Sequence, residues 1–108
     1  MAFQIRVAQR ASQDVREALA YIRRGSALAA NNWFRELVQL QKSLEELPER
    51  YACIPETKQL SHEYRSVTHY SHRIIYRVDP ENQIVYIVRV YHAARRPLIA
   101  EDIDPQIF

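Results

Sequence analysis

The hydrophobic and polar positions of this chain follow two different periods, and the change between them divides the sequence. Between residues 11 and 47, apolar side chains recur at spacings of three and four, which is the period of amphipathic helices. On either side of that stretch they recur at every second position or run together, as they do in strands. The pattern predicts a strand over residues 3–8, two helices, and strands over residues 64–70, 72–78 and 83–91.

The two helices are predicted to form an antiparallel pair joined by a tight turn. Ser12 is a candidate N-cap for the first helix, and Gly25 stands where a left-handed residue would end it. Ser26 is placed to cap the second helix, which Pro48 ends. The apolar stripe of the second helix consists of Trp33, Leu37, Leu40, Leu44 and Leu47, with Phe34 and Val38 beside it.

The order of elements, β-α-α-β-β-β, defines the expected fold. It predicts an α+β domain in which a helical hairpin packs on one face of an antiparallel sheet. The last strand is apolar on both faces, so we expect it to be central. A chain of 108 residues has the length of one domain, spanning residues 1–108.

Composition excludes several classes of protein. The one cysteine, Cys53, rules out an internal disulfide framework and favours a reducing compartment. No apolar run reaches membrane-spanning length and the N-terminus lacks a signal core, so we expect a cytoplasmic protein with no membrane contact. One glycine cannot build a phosphate-binding loop, and His69 and His72 lack a carboxylate at metal spacing. We therefore predict no metal and no cofactor.

Charge is distributed unevenly behind a net value of only +2. Residues 61–97 hold 6 arginines, no lysine and 3 acids, together with all 4 histidines and 5 of the 7 tyrosines. Arginine gives planar, fixed-fork contacts to phosphate and carboxylate, so this block suits anion recognition. Residues 98–108 hold 3 acids and no base. Whether this acidic tail folds back over the basic block, and masks its cations, is left open by the sequence.

Strand alternation suggests which side chains share a face. It groups Arg73, Ile75 and Arg77 on one strand, and Val85, Ile87, Arg89 and Tyr91 on the next. If the helices cover the opposite face, these arginines converge on an open, concave, cationic one. The alternative is that they only solvate the outer face of the sheet. The candidate target- or anion-binding residues are Arg73, Arg77, Arg89, Tyr91, Arg95 and Arg96.

Three segments together resemble a known family. They are residues 11–15 (ASQDV), residues 72–78 (HRIIYRV) and residues 87–95 (IVRVYHAAR). Their order and spacing are similar to those of the RelE/ParE superfamily of toxins from bacterial type II toxin–antitoxin modules. The resemblance covers nearly the whole chain, and its closing strand and long second helix look more like the ParE, or plasmid stabilisation, branch.

The resemblance implies two different activities. ParE-like toxins inhibit DNA gyrase by binding it, whereas RelE-like toxins cut messenger RNA on the ribosome. In the second case Arg73 falls on the arginine that holds the scissile phosphate, and His92 on a catalytic histidine near the C-terminus. The tyrosine expected after that histidine is replaced by Ala93. We expect a ParE-like gyrase inhibitor, with a ribosome-dependent mRNA endonuclease and a non-toxic interaction module as the alternatives.

Either toxin activity implies a cognate antitoxin as partner. In this family the antitoxin lays a helix along the helical pair or adds a strand to the sheet. The apolar residues Trp33, Phe34 and Leu37 are the candidate antitoxin contacts, and the alternative is that all three are internal core. A homodimer or a toxin–antitoxin hetero-oligomer is the expected assembly.

Overall fold

A computed structural model describes residues 2–103, and its elements follow the predicted β-α-α-β-β-β order. Three short 3-10 segments, Pro48–Arg50, Pro55–Gln59 and Ala100–Asp102, lie outside the main elements. The helices and strands are β1 (Gln4–Val7), α1 (Gln9–Gly25), α2 (Ala27–Ser43), β2 (Arg65–His69), β3 (His72–Asp79) and β4 (Ile84–His92).

The four strands form one sheet in the order β1-β4-β3-β2. β4 is central, as predicted, and β3 runs antiparallel to both of its neighbours. β1 runs parallel to β4, so the sheet is mixed and the expectation of a purely antiparallel sheet needs correction. Parallel neighbours require a long connection, and here the helical hairpin and the other strands provide it.

The ends of the helices agree only in part with the predicted signals. α1 begins at Gln9, after an N-cap Ala8 that has no side-chain acceptor, so Ser12 lies inside the helix and does not cap it. Gly25 is the last residue of α1 and does not adopt the left-handed conformation. The predicted cap at Ser26 is confirmed, because its Oγ accepts a hydrogen bond of 3.0 Å from the Ala29 N–H. α2 ends at Ser43, before Pro48.

The helical hairpin covers one face of the sheet, as predicted, and the main core lies between them. Apolar residues from the helices and the sheet are buried there, each contributing about 1.5–3 kcal/mol by leaving water. The larger members are Val15, Trp33, Leu37 and Leu44 from the helical half of the chain and Val67, Ile74, Tyr76, Val85, Ile87 and Val90 from the sheet.

The second face of the sheet is also covered, which corrects the expectation of an open surface. Two irregular segments, residues 54–64 and residues 97–103, lie over it. They bury Ile75, Val88 and Tyr91, because β3 and β4 carry apolar residues on both of their faces. The buried residues that the two segments contribute are Ile54, Tyr64, Leu98 and Ile103.

No helix within residues 2–103 combines the length and the apolar character needed to cross a membrane.

Candidate functional site

A β-bulge in β4 decides which of its side chains reach each face. Ile75 of β3 pairs with Arg89, and the next residue, Tyr76, pairs with Ile87, so Val88 is the extra residue. A bulge reverses the alternation of side chains on the bulged strand. The sequence grouping of Ile87 with Arg89 on one face is therefore wrong, because strict alternation of period two does not include a bulge.

The bulge nevertheless brings the candidate residues Arg73, Arg89 and Tyr91 together. Arg73 pairs directly with Tyr91 across the strands, on the face away from the helices. The Tyr91 ring is fully buried, and the guanidinium carbons of Arg73, Arg89 and Arg95 lie 5.8, 5.3 and 4.6 Å from its centroid. Cations at such distances from an aromatic ring are attracted by its negative face. These four residues, together with Arg96, are called the arginine face below.

Arg89 is buried in an ion pair that joins the sheet to the first helix. Its Nε and Nη2 donate to the two carboxylate oxygens of Asp14 at 2.8 and 2.9 Å. Asp14 also accepts the Val90 N–H at 3.0 Å, at a level of β4 where β1 no longer pairs with it. The hydrogen bonds that Arg89 donates to Asp14 raise the pKa of Arg89 above its already high value, so this cation is permanent and neutralised internally.

Arg73 is neutralised by a carboxylate from the irregular segment. Its guanidinium donates to Glu56 at 2.8 and 3.3 Å, and Glu56 also accepts the Leu98 N–H at 3.1 Å. The hydrogen bond from Arg73 is the main reason that the pKa of Glu56 falls to about 2. Glu56 is therefore ionised at neutral pH and ties β3 to the C-terminal segment.

Residues 97–103, called the C-terminal strap below, bring a third acid to the arginine face. Asp102 accepts two hydrogen bonds from Arg96, at 2.8 and 2.9 Å, and one from the Ile99 N–H at 2.9 Å. These bonds outweigh the effect of burial and lower the pKa of Asp102. The acidic tail thus does lie over the basic block through residue 103, and residues 104–108 are outside the described part of the chain.

The two remaining candidate arginines, Arg95 and Arg77, both contact aromatic rings. Arg95 is exposed and makes no ion pair within residues 2–103, although it stacks on Tyr91. Arg77 is half-buried, with its guanidinium carbon 5.6 Å from the centroid of the Tyr86 ring. The arginine face is therefore not the open cationic concavity that the sequence suggested, since most of its charge is internally paired.

His92 projects to the opposite side of the sheet from Arg73. It pairs across the strands with His72, and the two imidazole centroids are 5.0 Å apart. Both rings line a cavity of about 410 Å³ that lies against the helices, with Trp33 and Tyr21 in its wall. Burial, followed by the neighbouring imidazoles of His92 and His69, lowers the pKa of His72. The two candidate catalytic residues are thus not brought together.

The candidate antitoxin residues divide between core and surface. Trp33 and Leu37 are only 4% and 1% exposed, whereas Phe34 is 45% exposed. Phe34 and Val38 line a groove of about 390 Å³ between the two helices. The end of β1, at Val7, lies in the same groove. Of the three predicted residues, Phe34 is therefore the one whose ring is open to a partner.

Sequence reasoning missed the acids that hold the arginine face. Asp14 lies within the 11–15 segment that carries the family resemblance, and nothing in the local pattern distinguishes Glu56 within its loop. The available signal was the number of arginines on strands that are otherwise apolar, since a buried arginine requires a carboxylate partner. Residues 2–103 contain no cluster of three or more His, Cys, Asp or Glu side chains able to hold a metal ion.

Comparison with known proteins adds two findings. A family model described as "ParE toxin of type II toxin-antitoxin system, parDE" matches residues 5–97. The fold is similar to that of a chain in the crystal structure of the archaeal RelE-RelB complex from Pyrococcus horikoshii OT3. That match has a TM-score of 0.60 at 15% identity and covers 89% of this chain and 100% of the other. No curated protein matches this chain significantly.

Proposed function

The chain belongs to the ParE toxin family of type II toxin–antitoxin systems, and from that premise we propose that it inhibits DNA gyrase by binding to it. The observation that carries this choice over an RNA-cleaving activity is the separation of Arg73 from His92. Arg73 lies on the face away from the helices and His92 on the helical side. Cleavage of RNA needs the phosphate-binding cation and the proton-transfer group at one phosphodiester. The proposal implies a cytoplasmic location.

The charge of the arginine face also favours a protein target. Arg73, Arg89 and Arg96 of the arginine face each have an internal carboxylate partner. Arg95 is the exposed cation of that face that pairs with no acid among the described residues. Affinity for a phosphate backbone grows with the number of cations that engage it. A face with so few uncompensated charges is better suited to a protein surface that offers one or two carboxylates.

The test is a supercoiling assay with purified gyrase. We expect the wild-type protein to block supercoiling, and Arg95→Ala to reduce that inhibition because it removes the accessible cation of the arginine face. Arg24→Ala, an exposed arginine in the last turn of α1 that does not belong to the arginine face, is the matched control and should inhibit as the wild type does. Normal supercoiling at molar excess of the toxin would overturn the proposal. Cleavage of messenger RNA on translating ribosomes, lost in both Arg73→Ala and His92→Ala, would establish the ribonuclease activity in its place.

We further propose that the cognate antitoxin lays an amphipathic helix in the groove of Phe34 and Val38. The groove is apolar, lies along both helices and ends at the edge strand β1. Phe34→Ala should weaken antitoxin binding measured by calorimetry, while Tyr21→Ala, an exposed aromatic residue outside this groove, should not. Equal binding by both variants would exclude this groove as the antitoxin site. Growth unimpaired by expression without the antitoxin would indicate a non-toxic interaction module.

A further inference from the structure

The C-terminal strap lies on the sheet in the way that a bound peptide lies in a groove. Its two apolar anchors, Leu98 and Ile103, are buried against Tyr91 and its apolar neighbours. Between the anchors, Asp102 presents its carboxylate to Arg96. Apolar anchors combined with an acid that meets an arginine are the means by which extended peptides are commonly recognised.

The strap is held by side chains and single backbone contacts, and within residues 2–103 it takes part in no strand pairing. The Leu98 N–H donates to Glu56, and the Asp102 carbonyl accepts from Arg89 at 2.9 Å. Arg10 donates to the Glu101 carbonyl. A segment without a continuous hydrogen-bond ladder opens at lower cost than a strand of the sheet does. Each of its contacts can be remade by another chain of similar chemistry.

We propose that the strap occupies a docking groove beside Tyr91 and Arg96, on the face of the sheet away from the helices. The external ligand of this groove is an acidic protein segment with apolar anchors spaced like Leu98 and Ile103, and the strap competes with it. The strap itself indicates the chemistry of the occupant. Leu98 and Ile103 fill the apolar part of the groove beside Tyr91, and Asp102 supplies the carboxylate that pairs with Arg96. In the closed state the protein occupies its own groove, and a partner must displace the strap in order to bind. This inference goes beyond the proposed function and does not depend on the identity of the toxin target.

The charges that remain after opening favour a protein segment over nucleic acid. Arg89 keeps its pair with Asp14, and Arg73 keeps its pair with Glu56, because neither acid belongs to the strap. Opening therefore releases Arg96 beside the accessible Arg95, and it removes the longer ion pair of 3.8 Å that Arg89 makes with Asp102 in addition to its pair with Asp14. One incoming carboxylate can replace Asp102, whereas a phosphate backbone needs several free cations to bind well.

The test measures binding of a fluorescent peptide with the sequence of residues 97–103 (PLIAEDI) to full-length protein by anisotropy. Asp102→Asn keeps the size of the side chain and the backbone carbonyl that Arg89 uses, but removes the charge that pairs with Arg96 at 2.8 Å and with Arg89 at 3.8 Å. We expect this variant to bind the peptide about tenfold more tightly than the wild type does, because its own strap competes less well. Glu101→Gln removes one negative charge from the neighbouring residue of the strap. It should bind the peptide as the wild type does, since the Glu101 carboxylate forms no ion pair within residues 2–103.

Hydrogen exchange gives a second readout that does not need the peptide. Backbone amides of residues 98–103 should exchange faster in Asp102→Asn and in Arg96→Gln, while those of β3 and β4 stay protected. Arg96→Gln breaks the same ion pair from its more exposed side, so it keeps the test decisive if Asp102→Asn fails to fold. A peptide carrying Asn in place of its Asp should bind more weakly than PLIAEDI.

Two results would overturn the proposal. One is equal peptide affinity for the wild type and Asp102→Asn, with unchanged protection of the strap, which would make the strap a fixed part of the fold. The other is an open variant that binds a single-stranded oligonucleotide but not the peptide, which would assign the groove to nucleic acid.

Discussion

The two faces of the sheet are stabilised in different ways. On the helical face, the core cluster consists of aliphatic and aromatic side chains, most of them from helices and strands. On the arginine face, cations from β3 and β4 meet acids from distant or irregular segments. Arg89 and Asp14 are 75 positions apart in the chain, and Arg73 and Glu56 are 17 apart. One face is thus stabilised by apolar burial, and the other combines burial with specific charge partners.

This contrast has an energetic consequence. Loss of apolar volume is felt roughly in proportion to the cavity that is left, so the helical face should respond gradually. Removal of one member of a buried ion pair leaves an uncompensated charge, so the arginine face should respond abruptly. The following predictions test that difference, from the largest expected effect to the smallest.

Asp14→Ala should be the most damaging single change. It leaves the buried guanidinium of Arg89 without its bidentate partner and removes the acceptor of the Val90 N–H. We expect the free energy of unfolding in urea to fall by about 3–5 kcal/mol. Glu17→Ala, one turn later on the exposed side of α1, is the control and should change it by less than about 0.5 kcal/mol. Similar losses in the two variants would show that the pair contributes nothing specific.

Leu37→Ala should cost about 2–5 kcal/mol of unfolding free energy, because it opens a cavity in the core of the helical face. Val38→Ala is the matched control on the adjacent, half-exposed position and should stay within about 1 kcal/mol. Urea denaturation followed by circular dichroism measures both. A Leu37→Ala effect as small as that of Val38→Ala would mean that the core around α2 is loosely packed.

Acid should weaken the arginine face through Glu56, in addition to Asp102, whose pKa is also lowered. The pKa of Glu56 is lowered to about 2 from an ordinary value of 4.5. The ionised form is therefore the stabilising one, and its contribution is present above about pH 4.5 and lost as the pH falls toward 2. Glu56→Gln should flatten this part of the profile of unfolding free energy against pH, whereas the exposed Glu81→Gln should keep it. A wild-type slope that persists in Glu56→Gln would assign the acid sensitivity to other groups.

Arg95→Gln should have the smallest effect on stability. Its guanidinium is exposed and stacks on Tyr91 without an ion pair to any described acid, so we expect a change within about 0.5 kcal/mol. Thermal unfolding of the variant beside the wild type measures this. A loss of several kcal/mol would show that stacking on Tyr91, and not charge pairing, holds the arginine face together.

The sequence was sufficient for the elements that depend on local pattern. The stripe through Trp33 and Leu37 located α2, the serine at position 26 marked its start, and the apolar run of β4 indicated a central strand. The predicted start of α1 was wrong, because a local capping signal does not show where the preceding strand ends. Ser12 is a good N-cap in isolation, but the chain enters α1 directly from β1 at Ala8, before it reaches that serine.

The candidate site was harder to predict because it depends on which segments meet. Strict alternation could not include the extra residue Val88, and that residue decides the direction of Arg89. No local pattern connects Glu56 to Arg73 or Asp102 to Arg96, since these pairs form only when irregular segments fold over the sheet. The distribution of charge along the sequence indicated an acidic tail after a basic block, but not which acid meets which arginine.

The parallel pairing of β1 with β4 has a consequence for the order of events during synthesis. Gln4 pairs with Ile84, so β1 meets its partner only after both helices, β2 and β3 have been made. Contacts between residues this far apart in sequence form slowly, because the entropy of closing a long loop is lost before the contacts contribute any stabilising free energy. The helical hairpin leaves the ribosome long before β4 exists to cover its apolar side. The apolar side of the hairpin is therefore exposed during this interval, and transiently exposed apolar surface can bind other proteins before the fold is complete.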